Sequence, residues 1–93
     1  MSCHQRSVLV VESEVSPFVL RLQAVLEQRG AETLVARDQQ TALQRSEQFA
    51  FSAALVNAEH RALVPRLGIP TLLYVRTETP RDIVDGLEKL LAA

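Results

Sequence analysis

At 93 residues, 47% of them hydrophobic and 23% charged, the chain is long enough to bury one hydrophobic core and too short for two. Lys and Arg number 10 against 11 Asp and Glu, so the formal charge of −1 carries no basic footprint, and nucleic-acid binding is not expected. The one cysteine, Cys3, excludes an internal disulfide or a cysteine-based metal cluster and points to a reducing cytoplasm.

No apolar run approaches the roughly 18 residues that span a bilayer, and the opening Met-Ser-Cys-His-Gln-Arg lacks the apolar stretch of a signal peptide. The expectation is a single domain over residues 1–93, with residues 1–6 as a flexible tail holding Cys3 and His4.

Val8, Leu9, Val10 and Val11 form an unbroken apolar run that leads directly into Glu12, Ser13 and Glu14. A run without polar alternation fits a parallel strand covered on both faces, and ligands of such sheets gather beyond the carboxyl ends of the strands. Ser16 and Pro17 then announce a helix to about Arg29, with Phe18, Leu22, Val25 and Leu26 on one face and Gly30 as its stop. Thr33 to Ala36 reads as a second strand. Asp38 caps a second helix, through about Gln48, whose buried face is slight: Ala42, Leu43 and Phe49 after it.

Phe51 to Val56 is a third strand that delivers Asn57, Ala58, Glu59 and His60 to its carboxyl end, placing Asn57 beside Glu12 and Ser13 if the two strands pair. Pro65 and Gly68 leave room for only a short helix. Thr71, Leu72, Leu73, Tyr74 and Val75 form a fourth strand, followed by Arg76, Thr77 and Glu78. Thr79 and Pro80 open the last helix, with Asp82 placed like the acid of a capping box and Ile83, Val84, Leu87, Leu90 and Leu91 on its apolar face. Strands alternating with helices over short links call for a parallel sheet with right-handed crossovers.

The order of these elements and the residues at the strand ends resemble the response-regulator receiver domain, CheY-like, from Ser7 to Leu91. The matches are Val8 to Glu14 with the family's first strand and acidic pair, Gly30 to Asp38 with its second strand, and Phe51 to Asn57 with the strand bearing the phosphoacceptor aspartate. The resemblance implies a flavodoxin-like, receiver-like three-layer α/β sandwich, here with a shortened parallel sheet of about four strands in the order 2-1-3-4.

In the family the acidic pair and the acceptor aspartate bind magnesium, and the aspartate takes a phosphoryl group as an acyl phosphate. Residue by residue, the resemblance puts the acidic pair on Glu12 and Ser13 and the acceptor on Asn57. Asn57 is an uncharged amide and is not expected to accept phosphate, and with Glu12 as the one matched carboxylate, magnesium binding is expected to be weak or absent. Thr77 matches the family's Ser or Thr after the fourth strand, although Arg76 lies nearer the strand end. Thr79 stands where the family's Lys precedes proline.

Without a fifth strand, Thr71, Leu72, Leu73, Tyr74 and Val75 become an edge with unpaired backbone groups, open to a second copy unless the last helix folds over it. Glu12 and Glu14 are expected as solvated carboxylates, Asn57 as a loop-fixing residue, His60 as a surface residue, and Arg61, Arg66, Arg76 and Arg81 as solvated or carboxylate-paired. The resulting expectation is a non-catalytic, cofactor-free, cytoplasmic pseudo-receiver of signal transduction, acting as a homodimer or on another signalling protein. Two rivals stand beside it: a receiver still switched by phosphorylation or anion binding, with Ser13 or Glu59 as acceptor, and a small enzyme or ligand-binding domain using Glu12, Asn57, Thr77 and Arg76.

Overall fold

The computed structural model describes residues 6–92. In chain order the elements are β1 (Arg6–Val11), α1 (Pro17–Gln28), β2 (Ala31–Ala36), α2 (Gln39–Gln48), β3 (Ala53–Asn57), a 3₁₀ turn (Ala58–Leu63) running into α3 (Val64–Leu67), β4 (Thr71–Tyr74) and α4 (Pro80–Ala92). The four strands are all parallel and lie in the order β2-β1-β3-β4, as the resemblance implied. The expected tail falls outside the described residues except for Arg6, which is not tail: it opens β1 and pairs with Ala31.

Successive side chains along a strand point to opposite faces, and the core divides accordingly. Val8, Val10, Ala53, Leu55 and Tyr74 pack with Leu22 and Leu26 of α1 and Ile83, Val84 and Leu87 of α4. Leu9, Val11, Ala54 and Val56 pack on the other face with Ala42 of α2 and with Leu63 and Leu67 of the 3₁₀ turn and α3. Both faces of β1 are therefore buried, which is why its sequence shows no polar alternation. Each Val or Leu so buried contributes about 1.5 to 3 kcal/mol.

Local capping follows the sequence with one exception. Asp38 accepts a hydrogen bond from the Thr41 amide, and Thr79 Oγ1 accepts one from the Asp82 amide. Ser16 holds the extended N-cap conformation but makes no side-chain cap; its carbonyl instead accepts from the Leu20 amide. Gly30 and Gly68 end their helices at φ 84° and 67°, a left-handed conformation that a side chain would strain.

β4 ends one residue earlier than expected, and among the described residues no strand pairs with its outer side. Helix α4 does not fold over that edge; it lies on the sheet face beside α1.

Candidate functional site

Register fixes the site. Val11 pairs with Val56 and Asn57 pairs with Tyr74, so Glu12, Asn57 and Tyr74 stand side by side at the carboxyl ends of β1, β3 and β4. All three share strand parity with Val8, Val10 and Leu55, so all three point to the α1–α4 face.

Glu12 is the centre, and it is 0% exposed. Its Oε1 accepts hydrogen bonds from Asn57 Nδ2 at 3.0 Å and from the Tyr74 hydroxyl at 2.9 Å. Its Oε2 accepts from Arg76 Nε at 3.2 Å and Nη2 at 2.5 Å. Both carboxylate oxygens are thus saturated, one by neutral donors and one by a guanidinium fork. The expectation of a solvated Glu12 is corrected: a carboxylate this deep persists because donors from Asn57, Tyr74 and Arg76, with the Glu14 amide at 3.5 Å, replace water. Glu14, by contrast, is exposed as expected.

The partners are themselves held in place. Asn57 Oδ1 accepts from the Glu59 amide at 3.0 Å, so its carboxamide is used at both ends and caps the 3₁₀ turn, the loop-fixing role expected of it. The Tyr74 ring stacks on Phe18 of α1, with centroids 5.9 Å apart. Arg76 follows β4 in a turn and stays partly exposed, with Glu14 and Glu59 carboxylates 3.8 and 3.9 Å from its guanidinium.

These contacts set the ionisation of the cluster. Burial is the largest single influence on Glu12 and pushes its carboxyl up, but hydrogen bonds from Arg76, Asn57 and Tyr74, with the charge of Arg76, outweigh it and hold the pKa at about 2 against an ordinary 4.5. Burial, followed by the bond to anionic Glu12, raises the Tyr74 hydroxyl well above its usual range. The bond to Glu12 likewise raises Arg76. At neutral pH the cluster is a fixed carboxylate–guanidinium pair with a neutral phenol and amide.

This donor set does not fit a hard dication, which needs several oxygen anions free to turn toward it. Glu12 is already neutralised by Arg76, and the Asn57 carbonyl oxygen faces a backbone amide. Among the described residues no three His, Cys, Asp or Glu side chains are grouped to hold a metal.

The remaining sequence candidates fall outside the cluster. Ser13 is half-buried and Thr77 lies in an exposed turn, and neither hydrogen-bonds to Glu12. Arg76, and not Thr77, reaches Glu12. Tyr74, named with the exposed edge, has its side chain buried in the core and offers a partner no side-chain contact. His60, expected on the surface, is half-buried, and its Nε2 has no hydrogen-bond partner among the described residues. A 360 Å³ hollow beside the cluster is lined by Asn57, Ala58, Glu59, Arg61, Val75 and Arg76. The role of Tyr74 was the one least visible in sequence; the signal for it is a lone polar aromatic ending an apolar strand, at the parity of Glu12 and Asn57.

No protein-family model matches the chain, and no curated protein matches it. Among solved structures the chain is similar to Vibrio cholerae chemotaxis protein CheY4, crystallised at pH 4.0, with a TM-score of 0.66 and 15% identity over 92% of this chain and 98% of that one. The likeness is one of fold: a CheY-like, flavodoxin-type α/β arrangement, in keeping with the strand order seen here. In addition, no helix among the described residues is long and apolar enough to cross a membrane.

Proposed function

We propose that this chain is a phosphorylation-silent receiver-like module that acts in cytoplasmic signalling through protein contacts, chiefly by pairing with a second copy of itself. One observation carries the reading: the single acidic side chain that the resemblance assigns to the family's metal site is consumed inside the protein by Arg76, Tyr74 and Asn57. A tethered guanidinium supplies the positive charge that a bound cation supplies in the family, so the strand ends are held in one arrangement without magnesium.

The neighbouring chemistry supports the same reading. An acyl phosphate needs a carboxylate nucleophile, and Asn57 presents an amide engaged at both its nitrogen and its oxygen. General acid–base catalysis needs a group that exchanges protons near neutral pH, whereas Glu12 is buried and held at about 2. The module therefore needs no cofactor and performs no reaction; its output is a surface, and the edge of β4 is the surface best suited to it.

The test is exposure of the purified protein to acetyl phosphate with magnesium, and separately to beryllofluoride with magnesium, followed by intact mass and amide NMR spectra. No added phosphoryl mass and no shift of the Glu12, Asn57 or Tyr74 amides is expected. A phosphoryl adduct, whether a monoester on Ser13, an acyl phosphate on Glu59 or one on any other residue, overturns the reading.

A further inference from the structure

The parallel ladder determines which backbone groups of β4 are free. The Ala54 amide donates to the Pro70 carbonyl at 2.9 Å while Ala54 pairs in register with Thr71. Alternation along the strand then turns the amides of Leu72 and Tyr74 toward β3 and those of Thr71, Leu73 and Val75 outward. Val75 is withdrawn by its own loop: its amide donates to Glu78 Oε1 at 2.9 Å, and its carbonyl accepts from the Glu78 amide at 3.1 Å. Thr71 and Leu73 remain, each with one donor and one acceptor facing out.

Resting on the self-association just proposed, we infer that β4 pairs antiparallel with β4 of a second copy in a single register, with Thr71 opposite the second copy's Leu73 and Leu72 facing its own counterpart on the two-fold axis. A two-fold axis makes every contact reciprocal, so the two free residues on each copy exchange all their donors and acceptors and none is left over. The neighbouring register, centred on Leu73, would set Thr71 against Val75, whose groups Glu78 already holds. Glu78 thus excludes the register centred on Leu73.

Side chains favour the same edge. Leu73 is 41% exposed, and pairing covers it. Leu72 packs on the opposite face, where a Cβ on Gly86 of α4 would come within 3.3 Å of its Cδ2. The other sheet edge, β2, is flanked by exposed Glu32 and Arg37, charges that discourage strand addition.

The test combines mass with cross-linking in the full chain carrying Cys3→Ser. Light scattering over a dilution series is expected to give twice the chain mass, falling to the single-chain mass for Leu73→Lys with its circular dichroism unchanged. Directly opposed residues at a non-hydrogen-bonded site lie about 4.5 Å apart at Cα, within disulfide reach, while two copies of residue 73 lie diagonally beyond it. Oxidation of Leu72→Cys should therefore give a covalent dimer, and Leu73→Cys and Leu34→Cys, the latter at the corresponding site of β2, should not. A monomer at every concentration overturns both the register and self-association itself. A dimer that cross-links through Leu73→Cys or Leu34→Cys, or through none of the three, overturns the register while self-association stands.

Discussion

Arg76 Nη2 lies 2.5 Å from Glu12 Oε2, two residues 64 apart in the chain that meet where β1 and β4 end. Neither strand touches the other; β3 lies between them. The pair, with Tyr74 and Asn57, therefore ties the edge strand to the centre of the sheet across an intervening strand. A buried carboxylate in such a position makes the fold sensitive to the loss of any one partner.

Removal of the guanidinium by Arg76→Ala is expected to lower the melting temperature at pH 7, and to do so far less in a Glu12→Gln background, where no buried charge needs a partner. A double-mutant cycle by thermal denaturation checks this. Millimolar magnesium or calcium should raise the melting temperature of Arg76→Ala and leave the wild type unchanged, because only in the variant is the Glu12 carboxylate without a cation. Equal losses in both backgrounds would show that Arg76 acts through packing alone.

Stability should depend on acid in a defined window. The Glu12 pKa falls from 4.5 when unfolded to about 2 when folded, so between those values the unfolded chain binds more protons. The contribution is fully present above about pH 5 and is lost as pH falls through 4.5 toward 2. It amounts to at most about 3 kcal/mol, and to about 2 kcal/mol once solvent screening at Arg76, 36% exposed, is allowed for. Urea unfolding from pH 7 to pH 2.5 should show this slope, and Glu12→Gln should flatten it.

Converting Asn57 to the residue type of the family's acceptor should not restore phosphorylation. In Asn57→Asp a second carboxylate replaces the Nδ2 donor that lies 3.0 Å from Glu12 Oε1, so two like charges meet in a buried site. A loss of about 1 to 3 kcal/mol at pH 7 is expected, partly regained near pH 4 as one carboxyl protonates. Unfolding curves at the two pH values test the sign, and the mass after acetyl phosphate treatment should stay that of the unmodified chain.

Tyr74→Phe deletes only the hydroxyl that donates to Glu12 and keeps the ring stacked on Phe18. A charged acceptor loses one of its donors, at a cost of about 1.5 to 3 kcal/mol. Chemical denaturation should show this as a lower midpoint at unchanged slope. A neutral result would mean that water replaces the hydroxyl at Glu12.

What can be read from the chain alone is what is decided locally. The apolar run Val8 to Val11, the Asp38 and Thr79 caps, and the glycines after the first helix and before the fourth strand each act within a few residues, so strands and helices lie close to where they were expected. The adjacency of Glu12 and Asn57 was also legible, because it needs only the pairing of two strands that both end in polar residues. Glu12 as a buried ion and Tyr74 as its donor were not. Each depends on parity and register carried across three strands, and a one-residue slip in either pairing would turn Tyr74 to the other face. Whether a strand-end glutamate meets water or a guanidinium is likewise decided by the path of the turn after β4, which brings Arg76, and not Thr77, over Glu12. Local propensity determined the elements; the long-range register determined the charge state of the site.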